Sequence, residues 1–163
     1  MLFKNSLPMI YLAAPLFSEA ELAFNVRLTR LLEPEVDVYL PQRDGGRLVD
    51  LISRGVEPKD AYTSIFERDL DALRECDVLL IVLDGRTIDE GAVFELGVAF
   101  ALGKPCVGYQ SDPRRLLPVG NNPMIACALS QVLENSESLS DWAHRLSNCG
   151  DQQAQANHNF PSY

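Results

Sequence analysis

One glutamate stands alone in the run Glu90-Gly91-Ala92-Val93-Phe94-Glu95-Leu96-Gly97-Val98-Ala99-Phe100-Ala101-Leu102. The run predicts a helix that is apolar on nearly all sides and therefore buried. Beyond its first turn, Glu95 is the only ionisable residue. Burying a carboxylate without a partner is costly. Glu95 therefore either looks out through a narrow solvent-facing stripe or is held for chemistry, as a nucleophile or a proton-transfer group. Gly91 and Gly97 each cost the helix up to about 1 kcal/mol relative to alanine, which points to close approach of a ligand or a neighbouring strand. For Gly97, tight helix–sheet packing is an equal explanation. Asp89 lies six residues before Glu95 and, at roughly 100° per residue, off its helix face. It fits an N-cap or a loop position at a strand's carboxyl end. Asp69, within Glu67-Arg68-Asp69-Leu70-Asp71, reads by spacing alone as part of a solvated face. Tyr11 sits inside an apolar run. The usual reading is a core tyrosine, but a buried hydroxyl needs a partner, and a carboxylate nucleophile is a suitable one.

These residues must be positioned by strands and helices that alternate along the chain. Pro8 to Ala14 reads as a first strand. Ser18 is an N-cap followed by Glu19 and Glu21, and its helix runs to about Glu33, where Pro34 stops it. Val36 to Leu40 is a second strand, and Gln42 to Gly46 a loop. Asp60 or Thr63 opens a helix that ends near Cys76. Asp77 to Leu83 is a continuous apolar run, as suits a parallel strand buried on both faces. Asp84 to Thr87 is a loop, and the Asp89 helix ends at Gly103, a C′ glycine. Pro105 to Tyr109 is a further strand, Pro123 to Leu129 a helix, Gln131 to Leu133 a last short strand and Ser138 to Leu146 a last helix. Strict alternation argues for an α/β fold with a parallel sheet and helices on both faces. The preferred architecture is a flavodoxin-like three-layer sandwich with a five-stranded, mainly parallel sheet. In such sheets ligands bind beyond the carboxyl ends of the strands. Residues 1–150 are assigned to this domain and 151–163 to a polar, loosely held tail.

Composition narrows the function. A net charge of −9 disfavours nucleic-acid polymers, whose affinity comes mainly from phosphate neutralisation. No run of eighteen apolar residues is present, so no membrane-spanning segment is expected. The amino-terminal residues lack a signal-peptide pattern, and a cytoplasmic location is the default expectation. Cys76, Cys106 and Cys127 sit among apolar neighbours and read as buried reduced thiols. No cysteine pair or nearby histidine has zinc-ligand spacing. Dinucleotide-binding, P-loop and nucleophile-elbow motifs are absent. His144 and His158 lie away from the expected site.

The assembled pattern resembles the nucleoside 2-deoxyribosyltransferase family. The resemblance rests on Ile10-Tyr11-Leu12-Ala13-Ala14-Pro15-Leu16-Phe17, Asp69-Leu70, Asp89-Glu90-Gly91-Ala92-Val93-Phe94-Glu95-Leu96-Gly97 and Asn122-Pro123-Met124-Ile125. It covers about residues 9 to 130. The resemblance implies a flavodoxin-like fold, exchange of a 2-deoxyribosyl group between nucleobases, and no metal or organic cofactor. By position it implies that Glu95 is the nucleophile, Tyr11 the residue that orients it, and Asp69 and Asp89 the aspartates that hold substrate and manage the proton on the base. It places Gln42 near the base and adds Phe17 and Gly91 to the substrate-binding set. Asn122 and Met124 match residues lent to a neighbouring subunit's site, which implies a homo-oligomer of dimers assembling to a hexamer. The implied partners are deoxynucleosides and free nucleobases. Terminal Tyr163 could also reach a neighbouring site.

The residue types agree with that chemistry. Loss of the base leaves an oxocarbenium-like sugar, and a retaining route needs one carboxylate nucleophile and one acid. Clustered carboxylates raise one another's pKa, so one stays protonated near neutrality. Related hydrolases of deoxynucleoside 5′-monophosphates carry a glycine-, serine- and arginine-rich loop after the first strand. Here that loop is Ala14-Pro15-Leu16-Phe17-Ser18-Glu19-Ala20-Glu21, acidic and without arginine. Nucleosides are therefore expected rather than nucleotides. Two alternatives stand beside the transferase: an N-glycosidase with water as acceptor, and a non-catalytic binding domain.

Overall fold

In a computed structural model, which describes residues 7–112, 114 and 120–156 and side chains up to residue 148, strands and helices alternate as expected. The strands are β1 (Met9–Ala13), β2 (Asp37–Tyr39), β3 (Val78–Val82), β4 (Cys106–Tyr109) and β5 (Gln131–Leu133). They form one sheet in the order β2-β1-β3-β4-β5, with every neighbouring pair parallel. This is the flavodoxin-like three-layer arrangement. The helices are α1 (Glu19–Leu32), α2 (Leu48–Ser53), α3 (Pro58–Glu75), α4 (Glu90–Ala101), α5 (Pro123–Ala126) and α6 (Ser136–Ala156).

Local chemistry accounts for most boundaries. Ser18 and Glu21 form a reciprocal capping box at α1: the Glu21 amide donates to Ser18 Oγ at 3.3 Å, and the Ser18 amide donates to Glu21 Oε2 at 2.8 Å. Asp89 caps α4, its Oδ1 accepting from the Ala92 amide at 2.8 Å. Gly103, at φ 73°, ends α4 in the left-handed conformation. Helix α3 starts at Pro58, before Asp60 or Thr63, because proline fits the first turn, where its missing N–H has no partner to lose. Helix α2 was not anticipated: it is short, buries no residue and has no side-chain cap. The expected loop after β2 is instead a wide helical turn, Pro41–Gly45. Helix α6 runs into the expected tail as far as Ala156. His158 and Tyr163 lie outside the described residues.

Strand alternation divides the core into two layers. Ile10, Leu12, Val38, Leu80, Val107 and Tyr109 face α1 and α6, against Leu28, Leu32, Leu139, Trp142 and Ala143. Tyr11, Ala13, Leu79, Ile81 and Cys106 face α3 and α4, against Ala72, Leu73, Ala92, Leu96 and Ala99. Two sequence expectations need correction. Helix α4 is not buried all round: it covers the sheet with Ala92, Leu96 and Ala99, whereas Phe94 (55% exposed) and Phe100 point outward. Cys127 is exposed, unlike Cys76 and Cys106, because α5 ends there and buries only Ile125. Among the described residues no helix is long and apolar enough to cross a membrane.

Candidate active site

Tyr11 occupies the centre of β1 and is fully buried, so its hydroxyl can only be satisfied inside the protein. It donates to Glu95 Oε1 at 2.7 Å. Glu95 reaches it from the second turn of α4, whose start is set by the Asp89 cap. One layer out, Tyr39 on β2 donates to Asp69 Oδ1 of α3 at 2.8 Å. The parallel register sets Tyr11 beside Tyr39, and their rings stack with centroids 5.2 Å apart and planes 22° from parallel. Two phenol–carboxyl pairs therefore sit side by side. They lie under a cleft of about 270 Å³ lined by Asp69, Gly91 and Glu95 together with Leu48, Tyr62, Ile65, Phe66, Leu70, Leu73 and Phe94. A larger and more open hollow, about 830 Å³, runs along the outside of α3 between Tyr62 and Arg74 and touches none of these four paired groups.

Electrostatics follow from burial. Desolvation pushes the Glu95 carboxyl up to about 8; the Tyr11 hydrogen bond opposes this, while the nearby charges of Asp69 and Asp89 add to it. Burial likewise raises Asp69 above the usual carboxylate range, against the Tyr39 hydrogen bond and the positive charge of Arg68. Both phenols are held firmly protonated. For Tyr11 the causes are burial and then the charges of Glu95 and Asp69. For Tyr39 they are burial and then the Asp69 hydrogen bond. The site thus contains hydroxyl groups that only donate to the carboxylates, one carboxyl group, Glu95, that holds its proton to about 8, and a second, Asp69, raised above its ordinary value. Among the described residues, no cluster of histidine, cysteine, aspartate and glutamate could hold a metal ion.

The other expected residues divide. Gly91 lines the cleft, and a Cβ there would come within 3.1 Å of Asp89 Oδ1. Asp89 stands close enough to raise Glu95, while its Oδ1 is committed to the cap. Gln42 is tied to α1: its Oε1 accepts from Asn25 Nδ2 at 2.9 Å and its Nε2 donates to Leu22 O at 3.1 Å. Phe17 is 80% exposed and outside the cleft's lining. Asn122 caps α5 through the Met124 amide, and Met124 is 83% exposed; neither lines the cleft of its own chain. At Gly97 the expected close approach to a strand or to the sheet is corrected, since nothing lies within 4 Å of where its Cβ would be. Tyr39 and the aromatic lining from Tyr62 and Phe66 were not anticipated. Tyr39 lay in a recognised strand, but only the β1–β2 register aligns it with Tyr11.

With this geometry in place, similarity to known proteins becomes informative. The chain matches the family model of nucleoside 2-deoxyribosyltransferase over residues 10–157, and it belongs to that family. The family comprises glycosyl-transferring and glycosidase enzymes. Among solved structures the chain is similar to a 2-deoxyribosyltransferase from the psychrotolerant bacterium Bacillus psychrosaccharolyticus, at 24% identity and TM-score 0.68, covering 82% of this chain and 90% of that one. It is also similar to a conserved protein from Enterococcus faecalis V583, at 28% identity and TM-score 0.65, covering 86% and 99%. A CMP N-glycosidase from Clostridium botulinum shares the fold at 17% identity and TM-score 0.50, covering 85% and 97%. No match was found among curated protein sequences.

Proposed function

We propose that this enzyme transfers a 2-deoxyribosyl group between nucleobases through a covalent ester of Glu95, with retention at the anomeric carbon. The observation that carries the reading is the part-buried Tyr11–Glu95 hydrogen bond of 2.7 Å, next to a second carboxyl group, Asp69, that holds its proton more tightly than usual. A retaining transfer needs this pairing of nucleophile and acid. Glu95 attacks C1′ as the glycosidic bond breaks toward the base nitrogen, and Asp69 delivers a proton to the departing base. In the second half an incoming base attacks C1′, its N–H proton passes to Asp69, and the ester bond returns its electron pair to Glu95. Asp89, with one oxygen engaged in the cap, is assigned to holding the sugar.

Among the described residues, the cleft lining includes two carboxyl groups, apolar and aromatic side chains, and no cation. That favours a neutral deoxynucleoside over a nucleotide, whose phosphate would meet like charge. A homo-oligomer fits the same surface. Phe66 (53% exposed) and Phe94 pack on each other with centroids 6.3 Å apart beside the open cleft, and the outer face of α4 sets Phe94 and Phe100 among the small residues Gly91, Gly97 and Ala101. A second copy would cover this face and bring Asn122 and Met124 to a site they do not reach in their own chain.

Brief exposure to deoxyinosine followed by mass spectrometry tests the mechanism: an adduct of deoxyribosyl mass on Glu95 is expected. Adding free adenine should yield deoxyadenosine. Free deoxyribose without deoxyadenosine would make the enzyme a glycosidase, and neither product would remove the catalytic reading.

A further inference from the structure

We propose that Tyr39 is a positioning residue, whose hydroxyl fixes the Asp69 carboxyl for acceptance of the incoming base; this rests on the transferase reading above. The hydroxyl donates to Asp69 Oδ1 at 2.8 Å, and its ring is stacked on Tyr11. Gly45 closes the pair from behind. A Cβ at Gly45 would overlap Asp69 Oδ1 and come within 3.1 Å of the Tyr39 hydroxyl, and Arg68 Nη1 anchors the Gly45 carbonyl at 3.2 Å. Ring stacking alone would be served by phenylalanine. The hydrogen bond is what requires tyrosine, and the absent side chain at Gly45 is what leaves room for it.

The charged and titratable groups around the Tyr39–Asp69 and Tyr11–Glu95 pairs come from every packed element. They are Tyr11 on β1, Tyr39 on β2, Asp44 in the Pro41–Gly45 turn, Arg68 on α3, and Glu95 with Asp89 at α4. Burial favours the protonated Asp69 carboxyl; Tyr39 and Arg68 oppose it. Without the phenol hydroxyl, Asp69 keeps its proton to higher pH. Proton donation to the leaving base is then preserved. Proton uptake from the incoming base, which needs ionised Asp69, is impaired and recovers only at higher pH. Tyr39 itself stays protonated in both halves and exchanges no proton with substrate.

The test compares wild type with Tyr39→Phe, following two reactions across pH 5.5 to 9. One is release of hypoxanthine on first exposure to deoxyinosine; the other is deoxyadenosine formation when adenine is added to preformed adduct. In the variant, an unchanged melting profile shows that the fold is intact, and adduct formation should slow less than acceptor transfer does. Acceptor transfer on the acidic limb of its profile should fall roughly tenfold, the scale of one hydrogen bond to a charged group, and the profile should move upward. Gly45→Ala, which crowds the same pair, should impair the same step. Superimposable profiles for wild type and Tyr39→Phe, or an equal loss at every pH, would overturn the assignment. Absence of adduct in wild type would instead sink the transferase reading itself.

Discussion

The two faces of the sheet are built from alternate residues of the same strands, yet they are finished differently. Toward α1 and α6 the layer is apolar: Ile10, Leu12, Leu80 and Tyr109 meet Leu28, Leu139 and Trp142, all buried. Its buried polar side chains are neutral. Thr29 bonds the Asn25 carbonyl and Asn25 bonds Pro15 and Gln42, and among the described residues Asn25 Oδ1 alone is left without a partner. Toward α3 and α4 the same strands present Tyr11 and Tyr39 to two carboxyl groups, and the covering helix shows phenylalanines to the outside. One face is optimised for burial. The other retains ionisable groups in a desolvated place, an arrangement that costs stability and shifts pKa values as reaction centres require.

The largest effect expected from disturbing this contrast is at Glu95. Glu95→Gln should lower deoxyribosyl transfer by at least about 10³-fold, since no other carboxylate replaces a lost nucleophile. The same change should stabilise the fold, and the sign follows from linkage. Folded Glu95 holds its proton to about 8, against an ordinary value of 4.5. Between those values the folded state binds more protons than the unfolded chain, so wild-type stability falls as pH rises. Glutamine removes that slope. The melting-temperature advantage of the variant should be small near pH 4.5, grow toward pH 8 and then level off. An unchanged difference across that range would break the comparison.

On the opposite face the effect should be pure stability. Leu139, fully buried against α1 and the sheet, should cost about 2–5 kcal/mol as Leu139→Ala, read by urea unfolding, with turnover per folded molecule unchanged. Smaller is Tyr11→Phe. It removes the hydrogen bond that lowers the Glu95 pKa, so adduct formation should slow by roughly tenfold and need higher pH, while the ring still packs. Smallest in stability is Phe66→Glu, on the exposed side of α3. A surface change of this kind stays within about 0.5 kcal/mol for the isolated fold, but it should dissociate any oligomer built on this face, as measured by sedimentation.

Much of the frame was legible in the residues. The capping pattern Ser18–Glu21, the Asp89 cap, the Gly103 stop and the apolar run around Val78–Val82 mark local events, and each lies within a few positions of its cause. The isolation of Glu95 among apolar neighbours was equally visible. Helix α2 was not, since without cap or buried face it leaves no periodic trace. The outer face of α4 was misjudged because composition cannot tell a helix buried by its own chain from one with an apolar outer face.

The chain by itself determined its fold class, its strand and helix order and the carboxylate around which the site forms, because periodicity, caps and charge isolation are short-range properties. Only tertiary structure decided which groups meet. The β1–β2 register stacked Tyr39 on Tyr11, and the packing of α3 and α4 on one face brought Asp69 and Glu95 under one cleft. Partners 84 and 30 residues apart in the chain, Tyr11 with Glu95 and Tyr39 with Asp69, have no local signal to announce them; their pairing exists only once the sheet is assembled and water is excluded from it.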